Sequence, residues 1–266
     1  MKEYTRFWQL PEFHNLELIE ACYTTYEFPR HWHDTYVIEV IERGEDTCEC
    51  QGKACSARAG DIIVINPHEV HTGRPLGVTP LKYRCFYPTI EIMKEVSHLD
   101  SSEFAPHFPN VISDPPLARL LQQVHRASND PGETLQSQTS LYSALRRLVG
   151  RHGRGNSSVE VSHQHCNMKN LKAYLSDNFS KNITLRDLSQ VSGMSPFHLL
   201  RTFRATVGLP PHEYLMSIRI ERAKALLTRG YDIAHVACET GFYDQSHFNK
   251  HFKRILGITP GQYIKK

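Results

Sequence analysis

Three histidines and a glutamate in the first third of the chain have types and spacings that could hold a ligand. His31 and His33, two apart, share a face if they lie on one strand, and Glu39, six further on, keeps that parity where no bulge intervenes. With His71 they would make a three-histidine, one-carboxylate set suited to Zn²⁺, Ni²⁺, Mn²⁺ or Fe²⁺. The same side chains, with Tyr36 among them, could instead line a small-molecule pocket without metal, or hydrogen-bond one another at the mouth of a sheet structure. Cys48, Cys50 and Cys55 form the one cluster among seven cysteines. They could bind a soft metal, sense oxidation or be ordinary buried thiols.

A different chemistry stands near the C-terminal end. Phe197, His198, Leu200, Arg201 and Arg204 fall on the free faces of a helix that would bury Leu199, Phe203 and Val207 at spacings of four. Gln245, Ser246, Asn249, Lys250 and Lys253 stand on the free face of another, which would bury Phe248, Phe252 and Ile255. Amides and hydroxyls can hydrogen-bond base edges, while arginine and lysine reach guanine edges or phosphates. The plainer alternative is a solvated basic face. Leu200 offers no hydrogen bond and would touch a thymine methyl or nothing.

The elements that must position these faces occur twice. Leu188/Val236 and Gly193/Gly241 match at one offset, and His198/His247, Leu199/Phe248, Phe203/Phe252, Gly208/Gly257, Pro211/Pro260 and Tyr214/Tyr263 match one residue further on. In the first copy a short helix with Leu185, Leu188 and Val191 stops at Gly193, and Ser195 and Pro196 start the next as N-cap and first residue. In the second, Ile233, Val236 and Ala237 precede Gly241, and Asp244 is the cap. Two helices joined at a glycine turn make a helix-turn-helix, whose second helix enters the major groove. Between the copies, residues 211–227 read as a helix with Leu215, Ile218, Ala223 and Leu226 or Leu227 on its apolar stripe. At 1.5 Å per residue it spans roughly 25 Å, and it could hold two reading helices roughly 34 Å apart, in consecutive major grooves.

The histidine set needs a different scaffold. Residues 16–28, 35–42, 44–57, 61–66 and 81–88 read as short strands divided by Pro29, Gly44, Gln51-Gly52, Gly60-Asp61 and Asn66-Pro67, the pattern of a small antiparallel sandwich or barrel. Between about residues 91 and 150 the period becomes helical, with Leu117, Leu120, Leu121 and Val124 on one stripe and Leu135, Leu141, Leu145 and Leu148 on another. Residues 151–165 lack periodicity and read as a linker, and helical pattern resumes at Met168, Leu171 and Leu175.

The run Gly241, Ser246-His247-Phe248, Phe252-Lys253, Gly257, Thr259-Pro260 and Tyr263, with its looser counterpart at His198-Leu199, Arg201, Phe203-Arg204, Gly208 and Tyr214, resembles the signature of the AraC/XylS family of bacterial transcription regulators. The order His31, His33, Tyr36, Glu39, Gly44, Gly60-Asp61, Asn66-Pro67, His71 resembles the cupin jelly roll, and more closely the effector barrel of such regulators. The resemblance implies an α+β multidomain chain: a cupin-like barrel over 1–100, a helical and dimerising segment over 101–150, a linker over 151–165 and an all-α DNA-binding domain over 166–266, its units near 185–206 and 233–256. It implies Phe197, Leu200 and Arg201, then Gln245, Ser246, Asn249 and Lys250, as the residues that approach bases. Promoter DNA, RNA polymerase, a small-molecule effector and a second subunit are the implied partners. His31, His33, Tyr36, Glu39 and His71 would bind effector; no cofactor is required, though His31, His33, Glu39 and His71 could take a divalent metal. The rival is a cupin metalloenzyme, an oxygenase or isomerase, fused to a DNA-binding domain.

Charge divides the chain in the same place. Residues 1–164 hold 16 Lys+Arg against 21 Asp+Glu and residues 165–266 hold 15 against 7, so the helical part is the basic one, suited to phosphates. No run approaches the roughly 18 apolar residues of a membrane span, the first ten residues lack an apolar signal core, and an odd, scattered set of cysteines argues against a secreted disulfide framework. A cytoplasmic protein without a membrane partner is expected.

Overall fold

The computed structural model describes residues 3–97, 105–128, 134–154 and 163–265. It divides into two compact units, residues 1–27 with 32–157 and residues 28–31 with 158–265.

The strands form a double-sheet jelly roll. Its strands are β1 (Tyr4–Leu10), β2 (Leu16–Tyr23), β3 (Phe28–His31), β4 (Val37–Arg43), β5 (Glu45–Cys50), β6 (Lys53–Arg58), β7 (Asp61–Ile65), β8 (His71–Pro75), β9 (Leu81–Tyr87) and β10 (Val111–Ser113). One sheet runs β1-β2-β9-β4-β7-β10 and the other β3-β8-β5-β6. In the larger sheet Glu39 lies opposite Cys85 on β9 and opposite Ile63 on β7. Alternate residues point to opposite faces. Leu18, Ile38, Val40, Ile62, Val64 and Phe86 therefore share the outer face, where they form one core with Leu117, Leu121, Val124, Leu141, Leu145 and Leu148. Those leucines come from α2 (Pro115–Ala127) and α3 (Thr134–His152), which follow α1 (Ile90–Ser97). Both stripes are thus buried on the sheet of their own unit; the side chain of Leu135 lies outside the described residues. Asp114 joins the two helices, capping α2 through Leu117 N at 3.2 Å and accepting from Arg151 and His152 of α3, each at 2.9 Å.

Several strand expectations need correction. β1, β8, β10 and most of β3 are absent from the strand pattern of the sequence; Pro29, read as a divider, lies inside β3, β8 carries Gly73 and Pro75, and β10 has three residues inside the stretch that reads as helical. The linker begins later than residue 151, since Arg151 and His152 end α3 and hold Asp114. Most of the linker, residues 155–162, lies outside the described residues.

The second unit contains α4 (His163–Asp177), α5 (Leu185–Ser192), α6 (Pro196–Val207), α7 (Pro211–Thr228), α8 (Ile233–Glu239), α9 (Gln245–Leu256) and α10 (Pro260–Tyr263). Met168, Leu171 and Leu175 of α4 are buried, as their spacing predicts. The repeat is geometric as well as sequential. α6 and α9 each end at a glycine in the left-handed conformation, Gly208 at φ 85° and Gly257 at φ 74°. Behind each helix the matched aromatic pair meets edge to face, Phe203 with Tyr214 at 5.6 Å and Phe252 with Tyr263 at 5.5 Å. Two local expectations fail. Leu185 and Val191 are 36% and 38% exposed, leaving Leu188 to bury α5, and Ser195 makes no side-chain cap bond, so Pro196 alone marks the start of α6.

α7 is buried on more than one stripe: Leu215, Ile218, Ala223 and Leu227 are covered, and so are Met216, Ile220 and Arg219. Arg219 reaches back to the loop after α4, donating from Nε to Phe179 O at 2.8 Å and from Nη2 to Lys181 O at 2.9 Å. Gly241, in the turn of the second repeat, packs on the same loop so closely that a Cβ would stand 2.6 Å from Ser180 O.

Candidate functional site

The two faces expected to read DNA are built alike. On α6 the buried Leu199 and Phe203 turn His198, Leu200, Arg201 and Arg204 outward, with Leu200 at 40% exposure. The side chain of Phe197 lies outside the described residues. On α9, Asp244 accepts from His247 N at 2.6 Å, and the buried Phe248 and Phe252 leave Gln245, Ser246, Lys250 and Lys253 exposed. Asn249 differs from the expectation of a free polar residue. It is half-buried, and its Oδ1 is buried with no hydrogen-bond partner among the described residues. Sequence reasoning passed over Tyr243, which stands 93% exposed two residues before α9. An aromatic in the turn, where nothing in the repeat requires one, was the available signal. Arg201 and Lys250 are equivalent in the repeat, as are Arg204 and Lys253, so each face repeats a cation pair one turn apart.

In the jelly roll the five expected residues separate. His31 ends β3 and His71 begins β8, neighbours in the smaller sheet, while His33 lies in the segment that crosses toward the larger one. Each of the three offers a ring nitrogen within 4.8 Å of the others. The Nδ1 atoms of His31 and His71 face backbone oxygens, Pro29 O at 2.7 Å and Glu69 O at 3.0 Å. A carbonyl only accepts, so both Nδ1 carry the hydrogen. Burial holds the His71 ring down to about 4, which keeps it neutral.

Glu39 is not part of that cluster. Residues 32–36 are not strand, so the parity counted from His33 is broken, and Glu39 belongs to the other sheet. It lies on the inward face, since its neighbours Ile38 and Val40 point outward into the helix-covered core. Its Oε1 is buried and has no hydrogen-bond partner among the described residues, and burial together with Asp46 raises its pKa well above the ordinary range. Tyr36 is also displaced from the expected pocket. It is packed in the outer core, its hydroxyl donating to Pro106 O at 2.6 Å and its ring edge-on to Phe108 at 5.8 Å.

Other residues take the place left by Tyr36. On β5, Asp46, Cys48 and Cys50 are buried while Glu45, Thr47 and Glu49 are half-buried, so the first three point inward. On β9 the positions alternate with Phe86, which places Tyr83, Cys85 and Tyr87 on the inward face. The Tyr83 ring lies 6.1 Å from Tyr23 and the Tyr87 ring 5.6 Å from His33. Glu39 and Tyr87 stay only half-buried. Burial raises Asp46 to about 7. The period-2 alternation of these strands was legible as pattern, but which parity faced inward was not. Cys48 and Cys55, direct cross-strand partners, are joined by a disulfide, and Cys50 Sγ lies 3.9 Å from Cys55 Sγ.

Comparison with known proteins bears on both units. The model of the AraC-like ligand binding domain matches residues 13–145, and that of a helix-turn-helix domain matches residues 188–266. A relative in Bacillus subtilis named "Uncharacterized HTH-type transcriptional regulator YbfI" is 33% identical over 249 residues, covering 93% of this chain and 90% of its own. The HTH-type transcriptional activator RhaS of Enterobacter is 24% identical, over 94% of this chain and 92% of its own. The crystal structure of unsaturated fatty acid bound ToxT from Vibrio cholerae has a TM-score of 0.57 at 14% identity, over 94% of each chain, a likeness of fold. Among the described residues no helix is long and apolar enough to cross a membrane.

Proposed function

Because the chain belongs to the AraC family of helix-turn-helix transcription regulators, which are not enzymes, we propose that one molecule reads two consecutive major grooves of promoter DNA through α6 and α9. The metalloenzyme alternative is set aside by that membership. The observation that carries the proposal is the duplicated unit itself: two helices with the same buried aromatics, the same terminal glycine and the same two exposed cation positions, in the basic part of the chain. A solvated face would not need the second copy. His198, Leu200, Arg201, Arg204, Gln245, Ser246, Asn249, Lys250 and Lys253, with Phe197, form the reading surface.

A small molecule held between the sheets is the input, and promoter occupancy is the output. Coupling requires that the effector bind one conformation more tightly than the other. RNA polymerase at the adjacent promoter is the downstream partner, and the bacterial cytoplasm is where the two meet. A homodimer would have to use surfaces other than the leucine stripes of α2 and α3, which are already buried. Footprinting on genomic fragments tests the proposal: two protected major-groove segments one turn apart are expected, and protection that random competitor DNA removes as readily as specific DNA would refute it.

The three-histidine cluster supports one finer reading, a divalent ion held by the Nε2 atoms of His31 and His71 together with His33. Carbonyl-bonded Nδ1 atoms are how ligating imidazoles are commonly oriented. Glu39 takes no part in it. Metal analysis of the purified protein should find about one equivalent of Zn²⁺, Ni²⁺, Mn²⁺ or Fe²⁺ that His71→Gln removes; a metal-free protein that takes up none of these ions refutes it.

A further inference from the structure

Two acids enter the space between the sheets from opposite sides, Glu39 from the larger and Asp46 from the smaller. Neither has a cationic partner among the described residues. Asp46 accepts from backbone, with Arg74 N at 2.9 Å from its Oδ1, and Glu39 Oε1 meets no donor among the described residues. Arg84 and Lys82, on the outward face of β9, pair with Glu20 and Glu42, and the Arg74 side chain lies 3.9 Å from Glu27. Around the two acids stand phenol rings, Tyr83 on the strand beside Glu39, Tyr23 at 6.1 Å from Tyr83, and Tyr87. Buried acids without a cation stay toward the protonated form, and a fold that brings two of them in from facing sheets, beside electron-rich rings, suits a ligand whose positive charge lets them ionise.

We propose that the effector held between the sheets is a small organic cation, an amine or amidine whose charged group sits between Glu39 and Asp46 against the faces of Tyr23, Tyr83 and Tyr87. The proposal rests on the effector reading above and specifies its chemistry. An ammonium supplies the donors that Glu39 lacks and the charge that both acids lack, and tyrosine rings attract it through their faces. A carboxylic acid, the class bound in the ToxT crystal, would instead bring a third negative group into the same space. A neutral polyol would satisfy hydrogen bonds but leave the acids protonated.

Calorimetric titration of the full-length protein tests it with n-butylamine, putrescine and agmatine, each set against its uncharged or acidic counterpart, 1-butanol, 1,4-butanediol and butanoate. At least one amine should bind about ten-fold or more tightly than its alcohol, and Glu39→Gln or Asp46→Asn should weaken it by about ten-fold or more. Should Asp46→Asn fail to fold by circular dichroism, Glu39→Gln and the amine-against-alcohol comparison in the unaltered protein decide the matter. Equal binding of amine and alcohol, preference for butanoate, no heat from any amine, or amine binding untouched by Glu39→Gln overturns the cation assignment and leaves the effector reading standing. Amine binding that depends on Glu39 yet leaves the promoter footprint unchanged does the reverse: it upholds the site and overturns the effector reading.

Discussion

Arg201 and Lys250 are one position written twice, and the duplication says what each should cost. Replacing either by alanine should weaken DNA binding by about 1–3 kcal/mol, with altered sequence preference where the side chain reads a base, or uniformly and with a shallower salt slope where it meets a phosphate. Fluorescence anisotropy at several salt concentrations distinguishes the two, and unchanged affinity and slope in both variants would mean that the reading faces are misassigned. His125 supports a prediction of another kind. Its Nδ1 accepts from Arg84 Nη1 at 3.2 Å, its Nε2 donates to Cys85 O at 3.2 Å, and burial first, then Arg84, holds its pKa down to about 4. The folded ring therefore refuses a proton that the unfolded chain accepts near pH 6.5. Its contribution is intact above about pH 6.5 and is lost as the pH falls toward 4, by on the order of 3 kcal/mol. Asp46 and Glu39, raised by burial, act with the opposite sign in this range. Urea unfolding of His125→Gln and of the unaltered protein at several pH values isolates the histidine, because the acids are common to both; parallel pH profiles would exclude the role given to it.

At the scale of the element, Phe252 shows how much a reading helix owes to what lies behind it. It is fully buried, edge-on to Phe248 at 5.4 Å and to Tyr263 at 5.5 Å. Phe252→Ala should cost roughly 3–5 kcal/mol of stability, seen as a lowered denaturant midpoint, and DNA binding should fail through loss of the fold rather than of a contact. These helices were legible because their ends are written in residues with local physics: Asp244, Pro196, Gly208 and Gly257 act on their own neighbours and need no tertiary context. The jelly roll was legible only as strand pattern. β8 hides behind Gly73 and Pro75, and β10 is too short to show a period. The pocket was harder still. Glu39 follows His33 closely in sequence but lies in the opposite sheet, and Tyr36 packs outward, because the segment between β3 and β4 changes sheets, and no residue count reveals a change of sheet. Leu185 and Val191 have core spacing, yet α5 has only eight residues and buries Leu188 alone on that stripe.

For the whole molecule, the division of charge read from the sequence falls at the division of units, and the two roles separate along it. The basic part is suited to phosphates, and the acidic part to the effector. Within the basic part, the loop around Ser180 is gripped twice, by Arg219 from α7 and by the close approach of Gly241 from the second repeat. Gripped in this way, α6 and α9 are expected to act as prongs of a single fork rather than beads on a string. A fork of fixed gauge measures its operator. One base pair inserted between the two half-sites turns the second about 34° around the duplex axis, which the prongs cannot follow, so affinity should drop to that of one half-site alone, whereas a hinged pair would tolerate the insertion. A fork of that kind would move as one piece between effector-bound and effector-free protein, so that what is regulated would be whether it lands on the promoter rather than how widely it opens.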